Sequence, residues 1–553
     1  MRFTMGADFG SLSVRVILAD AENGREAASA VSEYPHGVMT RLPDGTPLPR
    51  EYALQHPADY LQCLREAAHA CMKGIDPGDV IGFALDFTAD TSLPVDEKGE
   101  PLCLKPAYAS CPQAWVKMWK HHGAEKEAKA IREAALRFDP ALLTPYGGQV
   151  SSEWMLPKLL ETCHKAPELV KDADRFLQAG DWVIGCLTGS RARSASHAGY
   201  KNFRRDGAYP PDAFLVSLHP LMGQFRRLTD GELLIPGSKA GELNAEGAEI
   251  LGLREGTPAA VSGTDAFHPM PALGLTDAGD MLMSIGNSTC HTLLSREYRP
   301  FTGIGGVVKD GIIPGLYGYE SGQTCTGDLF DWAARQWCPA SYSREAEERG
   351  ITPHQLLTEK ASALKPGQSG LLALDWWNGS RSPFMDFDLT GLILGMTLDT
   401  RPEEMYRALI EANAFGTRLI LDGYAEHGIA VERVFACGGI TRKNPMLMRI
   451  LADILGREIR VADSAQAAAL GSAIFAAAAA GKAAGGYDTV REAAERMKCG
   501  ASAVYTPDAA NHGVYDRLYR EYLKLTGMFH GGASDPMSGV RKIKVAANDF
   551  PAR

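Results

Sequence analysis

Several features that would place this chain in a specialised class are missing. Its eleven cysteines include no CxxC pair, so neither a cysteine metal site nor a disulfide framework is expected, and most thiols should be reduced and buried. Basic residues are not in excess: 57 Lys and Arg against 67 Asp and Glu leave a formal net charge of −10. That balance argues against a nucleic-acid or anionic-membrane surface. It does not argue against ATP, because phosphate sites are built from backbone N–H groups and a few side chains. A long hydrophobic run is also lacking. The longest, residues 467–481, is broken by Gly471 and Ser472 and falls short of the ~20 residues that span a bilayer; it reads as a packed helix. Asp8 interrupts the only early apolar stretch, so no signal-peptide pattern is expected. Together these point to a soluble, cytoplasmic protein.

What is present is ordinary globular composition, 45% hydrophobic and 22% charged over 553 residues. That length exceeds one core and predicts two large domains. Apolar runs at 14–19 and 80–86 read as buried strands. Residues 57–72 place Tyr60, Leu61, Leu64 and Ala67 on one helical face, and 124–137 is a second helix. This alternation predicts layered α/β architecture. A strand over 259–264 ends at Asp265, and the prolines at 269 and 271 mark the domain exit. Later segments predict a strand at 312–319, helices at 327–336 and 402–424, a strand at 434–437 running into Gly438-Gly439, and a helix at 465–480. The expected divisions are 1–270, 271–530 and a flexible tail over 531–553.

Two stretches carry most of the chemistry: Met5-Gly-Ala-Asp-Phe-Gly-Ser-Leu-Ser-Val-Arg15 and Met281-Leu-Met-Ser-Ile-Gly-Asn-Ser-Thr-Cys-His291. Each reads as strand, small-residue turn, return strand. Laid on each other without a gap, Gly10 meets Gly286, Ser13 meets Thr289, and Asp8 meets Ser284. Glycine and hydroxyl residues at such turns leave N–H groups free for phosphate oxygens. The repeat suggests an internal duplication with a nucleotide tail held between two lobes. Only the first turn carries a carboxylate, so Asp8 is the candidate for a phosphate-bound metal. Arg15 reads equally as a phosphate contact or a solvated strand residue. Gly471 reads equally as a pocket border or a close-packing position.

Further blocks share their order and spacing with a known family. They are Ala84-Leu-Asp-Phe-Thr-Ala-Asp-Thr-Ser-Leu-Pro-Val95, Trp115-Val-Lys-Met-Trp-Lys-His-His122, Tyr146-Gly-Gly-Gln-Val-Ser-Ser-Glu-Trp154, Ala198-Gly-Tyr-Lys201, Gly315-Leu-Tyr-Gly-Tyr-Glu-Ser-Gly-Gln323 and Leu374-Asp-Trp-Trp-Asn-Gly-Ser-Arg381. Over residues 4–530 the chain resembles the FGGY carbohydrate kinases, most closely their ribulokinase group. The resemblance implies two actin/hexokinase-like (ribonuclease H-like) ATPase domains with a cleft between them, and ATP with Mg²⁺ as cofactors. It implies a 2-ketopentose phosphorylated at its terminal hydroxyl, L-ribulose in the main case, as in arabinose catabolism. D-ribulose, xylulose or a polyol is the near alternative, and a sugar sensor or actin- or chaperone-like ATPase the distant one. A homodimer accords with the resemblance, although no interface signature stands out.

The resemblance also implies residue roles. Asp265 is the catalytic base. Ala89, Trp119, Lys201, Asp265 and Glu320 bind the sugar. Gly10, Ser11, Ser13, Arg15, Gly286, Ser288 and Thr289 hold the ATP phosphates, and Gly438, Gly439 and Asn444 the adenosine; Asp8 lies on the metal side. Three positions depart from the family pattern: Asn287 for a common Thr, Asp90 for a small or thiol residue, and Ser321 for Ala. The last two adjoin the sugar contacts and bear on which sugar is taken.

Overall fold

The computed structural model describes residues 1–530 together with 536, 537, 539, 540 and 543. Apart from those five, the tail expected over 531–553 lies outside the described residues. Two mixed sheets organise the chain. In the first, β1 (Phe3–Phe9), β2 (Ser13–Asp20) and β3 (Glu26–Glu33) form an antiparallel meander, and β4 (Val80–Phe87) runs parallel to β1 on its other side. β5 (Lys239–Glu242) pairs antiparallel with β6 (Pro258–Ala260), and β6 and β7 (Gly263–Thr264) both pair parallel with β4. The order is β5-β6-β4-β1-β2-β3. Every residue of β1 is buried, as a strand covered on both faces requires. β3 alternates exposed and half-buried residues, as an edge strand with a wet face does.

The second sheet repeats this plan. Its strands are β8 (Asp280–Ile285), β9 (Thr289–Ser295), β10 (Gly306–Lys309), β11 (Tyr317–Gln323), β12 (Arg433–Cys437), β13 (Ile459–Ala462) and β14 (Ala501–Tyr505). Their order is β10-β11-β9-β8-β12-β13-β14. β8, β9 and β11 form the meander; β12 runs parallel to β8, β13 parallel to β12, and β14 antiparallel at the edge. The same neighbours in the same senses recur in both sheets, with β10 as an extra edge strand on the second. The duplication read from the two hairpins therefore extends to whole sheets.

Helices follow the expected positions with small shifts: Pro57–Cys71, Glu125–Phe138, Gly327–Trp337, Pro402–Glu426 and Ala467–Ala484. The last is apolar and long enough to cross a membrane by composition, yet it comes from late in the chain and lies across β1 and β4 of the first sheet. Glycines make that contact possible. A Cβ at Gly6 would sit 2.0 Å from the Ala469 carbonyl oxygen, and one at Gly82 2.7 Å from that of Ala476. Gly471 falls on the packing side of its alternatives, since a Cβ there would meet the His268 carbonyl oxygen at 1.7 Å.

Two expected strands differ. The run 259–264 is split into β6 and β7, because Val261 N–H bonds Ser238 O and the Ser262 hydroxyl bonds Asp181 Oδ1 at 2.6 Å, taking the middle of the run off the ladder. The strand expected at 312–319 begins at Tyr317. Ile312 and Ile313 are buried but belong to a loop closed by Asp310 N–H on Leu316 O; their apolarity signalled burial rather than extension. All eleven cysteines are free thiols.

The Gly6 contact generates a test. Gly6→Ala should cost about 2–3 kcal/mol, because its new methyl meets backbone that cannot rotate away. Gly500→Ala, with open space around it, should cost little. Urea midpoints measure both, and equal midpoints would contradict the packing.

Candidate active site

Three parallel neighbours, β1, β4 and β7, end at the same edge of the first sheet, and each delivers a carboxylate there. Asp8 on β1 stands opposite Asp86 on β4 in the ladder. Asp265 follows β7, its N–H bonded to Phe87 O at 3.0 Å, and its Oδ1 accepts from Ala266 N–H at 2.7 Å. The C-terminal ends of parallel strands are where open α/β sheets present ligands. Burial, and then the charge of Asp8, push Asp265 up to about 7. Asp86 is wholly buried and is also raised well above the usual carboxylate range, again by burial first and Asp8 second. Its Oδ2 accepts from the Ser472 hydroxyl at 2.7 Å, while its Oδ1 has no hydrogen-bond partner. Asp8 pairs with Arg15 at 3.2 Å, which settles where that arginine points.

A cavity of about 240 Å³ opens beside Asp265. Ala89, Trp119, Lys201, Asp265 and Glu320, the five residues expected around the sugar, all line it. Lys201 closes the helix Ala195–Lys201 and reaches Glu320 Oε2 on β11 at 2.9 Å. Burial alone would lower its pKa, but Glu320 and Asp90 together raise it, so the ammonium stays charged. Trp119 donates from Nε1 to Ser11 Oγ at 3.0 Å. Arg381 and Glu153 also line the cavity and pair at 3.4 Å. Both ion pairs join residues from opposite halves of the chain, so they form only when the two halves meet. A larger cavity of about 990 Å³ shares Trp119, Glu153, Ser288 and Arg381 with the first.

The two hairpin turns meet here, since Ser11 and Ser288 line the same cavity. Their registers differ by one residue. Gly10 N–H bonds Ser13 O, whereas Gly286 N–H bonds Ser288 O; Phe9 pairs with Val14 and Ile285 with Thr289. The first turn is one residue longer, so the structural counterpart of Ser13 is Ser288, and the ungapped match to Thr289 is corrected. Thr289 is buried and its hydroxyl is shared with Thr326 at 2.8 Å. Asn287 and Gly286 remain exposed, and the Asn287 and Gly286 carbonyls accept from Thr326 and Gly327 N–H at the start of helix Gly327–Trp337.

Gly438 ends β12 beside the second turn, at φ 107°, where a Cβ would meet Ile285 O at 2.2 Å. That position requires glycine on packing grounds. Gly439 has open space around it. The Asn444 side chain accepts from Leu447 N–H at 3.1 Å and caps the helix Pro445–Leu455.

Sequence reasoning assigned no role to Asp86, Glu153 or Cys290, and named Arg381 only within a family motif. Asp86 was visible as the one charge inside an apolar strand. Glu153 and Cys290 enter through tertiary contact alone.

Residues 281–480 match the FGGY family of carbohydrate kinases, C-terminal domain. A ribulokinase of Shouchella clausii (strain KSM-K16) is 46% identical over 99% of this chain and 98% of its own length. The chain belongs to the FGGY family of carbohydrate kinases. A second FGGY relative, a ribulokinase of Geobacillus thermodenitrificans (strain NG80-2), is 45% identical over 99% of this chain and 98% of its own. In fold, the chain is similar to the crystal structure of xylulose kinase from Rhodospirillum rubrum, with a TM-score of 0.78 at 22% identity, covering 96% of this chain and 99% of that one. This FGGY chain is thus an ATP-dependent sugar kinase with two actin/hexokinase-like domains around a cleft.

Outside the cleft, His36, His56 and Asp59 bring three donor atoms within 4.8 Å of one another. The His36 ring and N–H already bond Asp59 at 2.7 and 3.0 Å, and His56 accepts from Ala58 N–H. That cluster is the N-terminal cap of the helix Pro57–Cys71.

The raised Asp265 sets a pH dependence of stability. Unfolded aspartate titrates near 3.9, while the folded group holds its proton until about pH 7. The folded state therefore loses stability as pH rises from about 4 to about 7, and the loss is complete above that range. Asp265→Asn should be more stable than wild type by up to about 4 kcal/mol at pH 8, with a smaller advantage at pH 5. Urea midpoints at both values check this, and a pH-independent difference would contradict it.

Proposed function

We propose that the chain transfers the γ-phosphoryl group of ATP to the 5-hydroxyl of L-ribulose, giving L-ribulose 5-phosphate in the catabolism of arabinose and related pentoses. One observation carries the reading: the five residues expected to bind the sugar line a single small cavity with a half-ionised carboxylate at its edge. The relatives, both ribulokinases, add the substrate.

In this reading residues 1–270 supply most of the sugar site and residues 271–530 most of the nucleotide site. Lys201 and Glu320 hold vicinal hydroxyls, Ala89 offers backbone polar groups, and Trp119 an apolar wall. Asp265 is the base. The sugar O5 attacks Pγ, the Pγ–O bond to ADP breaks, and the O5 proton passes to Asp265. An aspartate near pH 7 is matched to that task, whereas an ordinary one would be too weak a base. The turns at Gly10–Ser13 and Gly286–Ser288 give their N–H groups to the phosphates, with the Ser11 and Ser288 hydroxyls beside them. Arg15 is tied to Asp8 and acts by orienting that carboxylate. Gly438 and Gly439 leave backbone open for adenosine, and Asn444 shapes the turn they enter.

The carboxylates Asp8, Asp86 and Asp265 are an oxygen-only donor set, and the orphaned Asp86 Oδ1 suits a hard cation. Mg²⁺ would be held by Asp8, directly or through water, and would supply charge neutralisation at the phosphates. Closure of the lobes by the Lys201–Glu320 and Arg381–Glu153 pairs excludes water from the γ-phosphate. The enzyme works in the cytoplasm, and the family resemblance favours a homodimer.

A coupled ADP-release assay with Mg²⁺-ATP across L-ribulose, D-ribulose, xylulose and polyols tests the substrate. L-Ribulose should give the highest kcat/KM, rising with pH through about 7 as Asp265 loses its proton. Asp265→Asn should lower kcat by about 10²–10⁴ while ATP binding persists. Full activity in that variant, or turnover independent of any sugar, would refute the proposal.

A further inference from the structure

Asp90 lies in the wall of the sugar cavity and has no part in the chemistry above. It is a buried carboxylate, 2% exposed, on a backbone turned to φ 54°, where Asp and Asn are tolerated and most residues are strained. Its main-chain oxygen is tied down by Lys158 Nζ at 2.7 Å. One side-chain oxygen, Oδ1, accepts from Gln178 Nε2 at 3.3 Å. Lys158 thus fixes the turn through the backbone rather than by pairing with the carboxylate, and among the described residues no hydrogen bond is made to the second oxygen, Oδ2. A buried carboxylate with an uncommitted oxygen costs free energy, so a cavity that keeps one gains when a ligand hydroxyl satisfies it.

Its place along the cavity is informative. The Lys201–Glu320 pair acts electrostatically on both Asp90 and Asp265. Burial and Asp8 dominate at Asp265, while burial and the two lysines, Lys201 and Lys158, dominate at Asp90. Asp265 stands at the sheet edge with Asp8 and Asp86, whereas Asp90 is held by Lys158 and Gln178, and Lys201 and Glu320 line the same cavity. A sugar with the hydroxyl to be phosphorylated at Asp265 therefore offers its other end to Asp90. Burial raises Asp90 to about 6, against the pull of Lys201 and Lys158, so at neutral pH it is an acceptor for O–H donors.

We propose that Asp90 is a specificity-determining residue that accepts a hydrogen bond from the hydroxyl at the end of the sugar remote from the phosphorylated one. This deepens the sugar-kinase reading and rests on it. In a 2-ketopentose that group is the C1 hydroxyl; in a polyol it is the far terminal hydroxyl. An uncommitted acceptor in a closed site rejects an analogue that lacks its donor, so the chain should discriminate strongly against 1-deoxy sugars.

The test pairs two substrates with two variants. Asp90→Asn keeps the shape and the tolerance of positive φ but halves the acceptor capacity; Asp90→Gly removes the side chain where glycine is unstrained. Thermal unfolding checks that both fold. For wild type, KM for 1-deoxy-L-ribulose should exceed that for L-ribulose by about tenfold to a hundredfold. Asp90→Gly should raise KM for L-ribulose by a similar factor, leave kcat within about threefold, and change KM for the 1-deoxy sugar little. Asp90→Asn should fall between. Equal KM increases for both sugars, or none for either, would overturn the role of Asp90 while leaving the kinase reading intact. If wild type phosphorylated neither pentuloses nor polyols, the kinase reading itself would fail, and this inference with it.

Discussion

Crowding of like charge at one sheet edge is the constraint on which this structure turns. Asp8, Asp86 and Asp265 are brought together because β1, β4 and β7 are adjacent, parallel and end at the same level. Water is largely excluded, so the carboxylates cannot all ionise. Arg15 pairs with Asp8, and the imidazole 3.5 Å from Asp86, that of His268, is lowered by burial to about 3 and brings no charge. The result is that Asp86 and Asp265 are both raised, Asp265 to about 7. Such a site is costly to keep empty. A chain that maintains it must stabilise the surrounding fold by other means, and the close seat of helix Ala467–Ala484 on β1 and β4 is one of them.

The duplicated plan explains why the two lobes contribute differently. Both sheets present a glycine turn between their first two strands, but the first sheet carries Asp8 where the second has Ser284. The second turn instead rests on the start of helix Gly327–Trp337. The turn carboxylate is thus confined to one lobe, while both turns offer backbone donors. Between them, the Lys201–Glu320 and Arg381–Glu153 pairs join the halves across the sugar cavity. Buried pairs of this kind add little net stability, and their value lies in defining which closed arrangement forms.

Much of this was legible in the sequence, and particular residues show why. The strand–helix alternation, the two hairpins and the long helices follow from local periodicity and turn chemistry, which act over a few residues. Asp265 was legible because it ends an apolar run, and the sugar residues because their motifs carry a family pattern. Thr289 was misplaced by a single residue, since an ungapped overlay cannot see that one turn is longer. Asp86 was hidden in plain view as part of a buried strand; its importance comes from Asp8, 78 positions earlier, through a ladder that no local pattern encodes. Glu153 and Cys290 reach the cavity only by tertiary packing. Ile312 and Ile313 show the converse error, burial read as strand.

The account stands or falls on the protonation of residue 265 in the intact protein. Difference infrared spectroscopy of the carboxyl stretch, wild type minus Asp265→Asn, followed from about pH 4 to about pH 9, reads it directly. The predicted result is a protonated carboxyl band that disappears with a midpoint close to 7. A carboxylate already fully ionised at pH 5 would contradict the account, because the site would then be neither desolvated nor crowded as described.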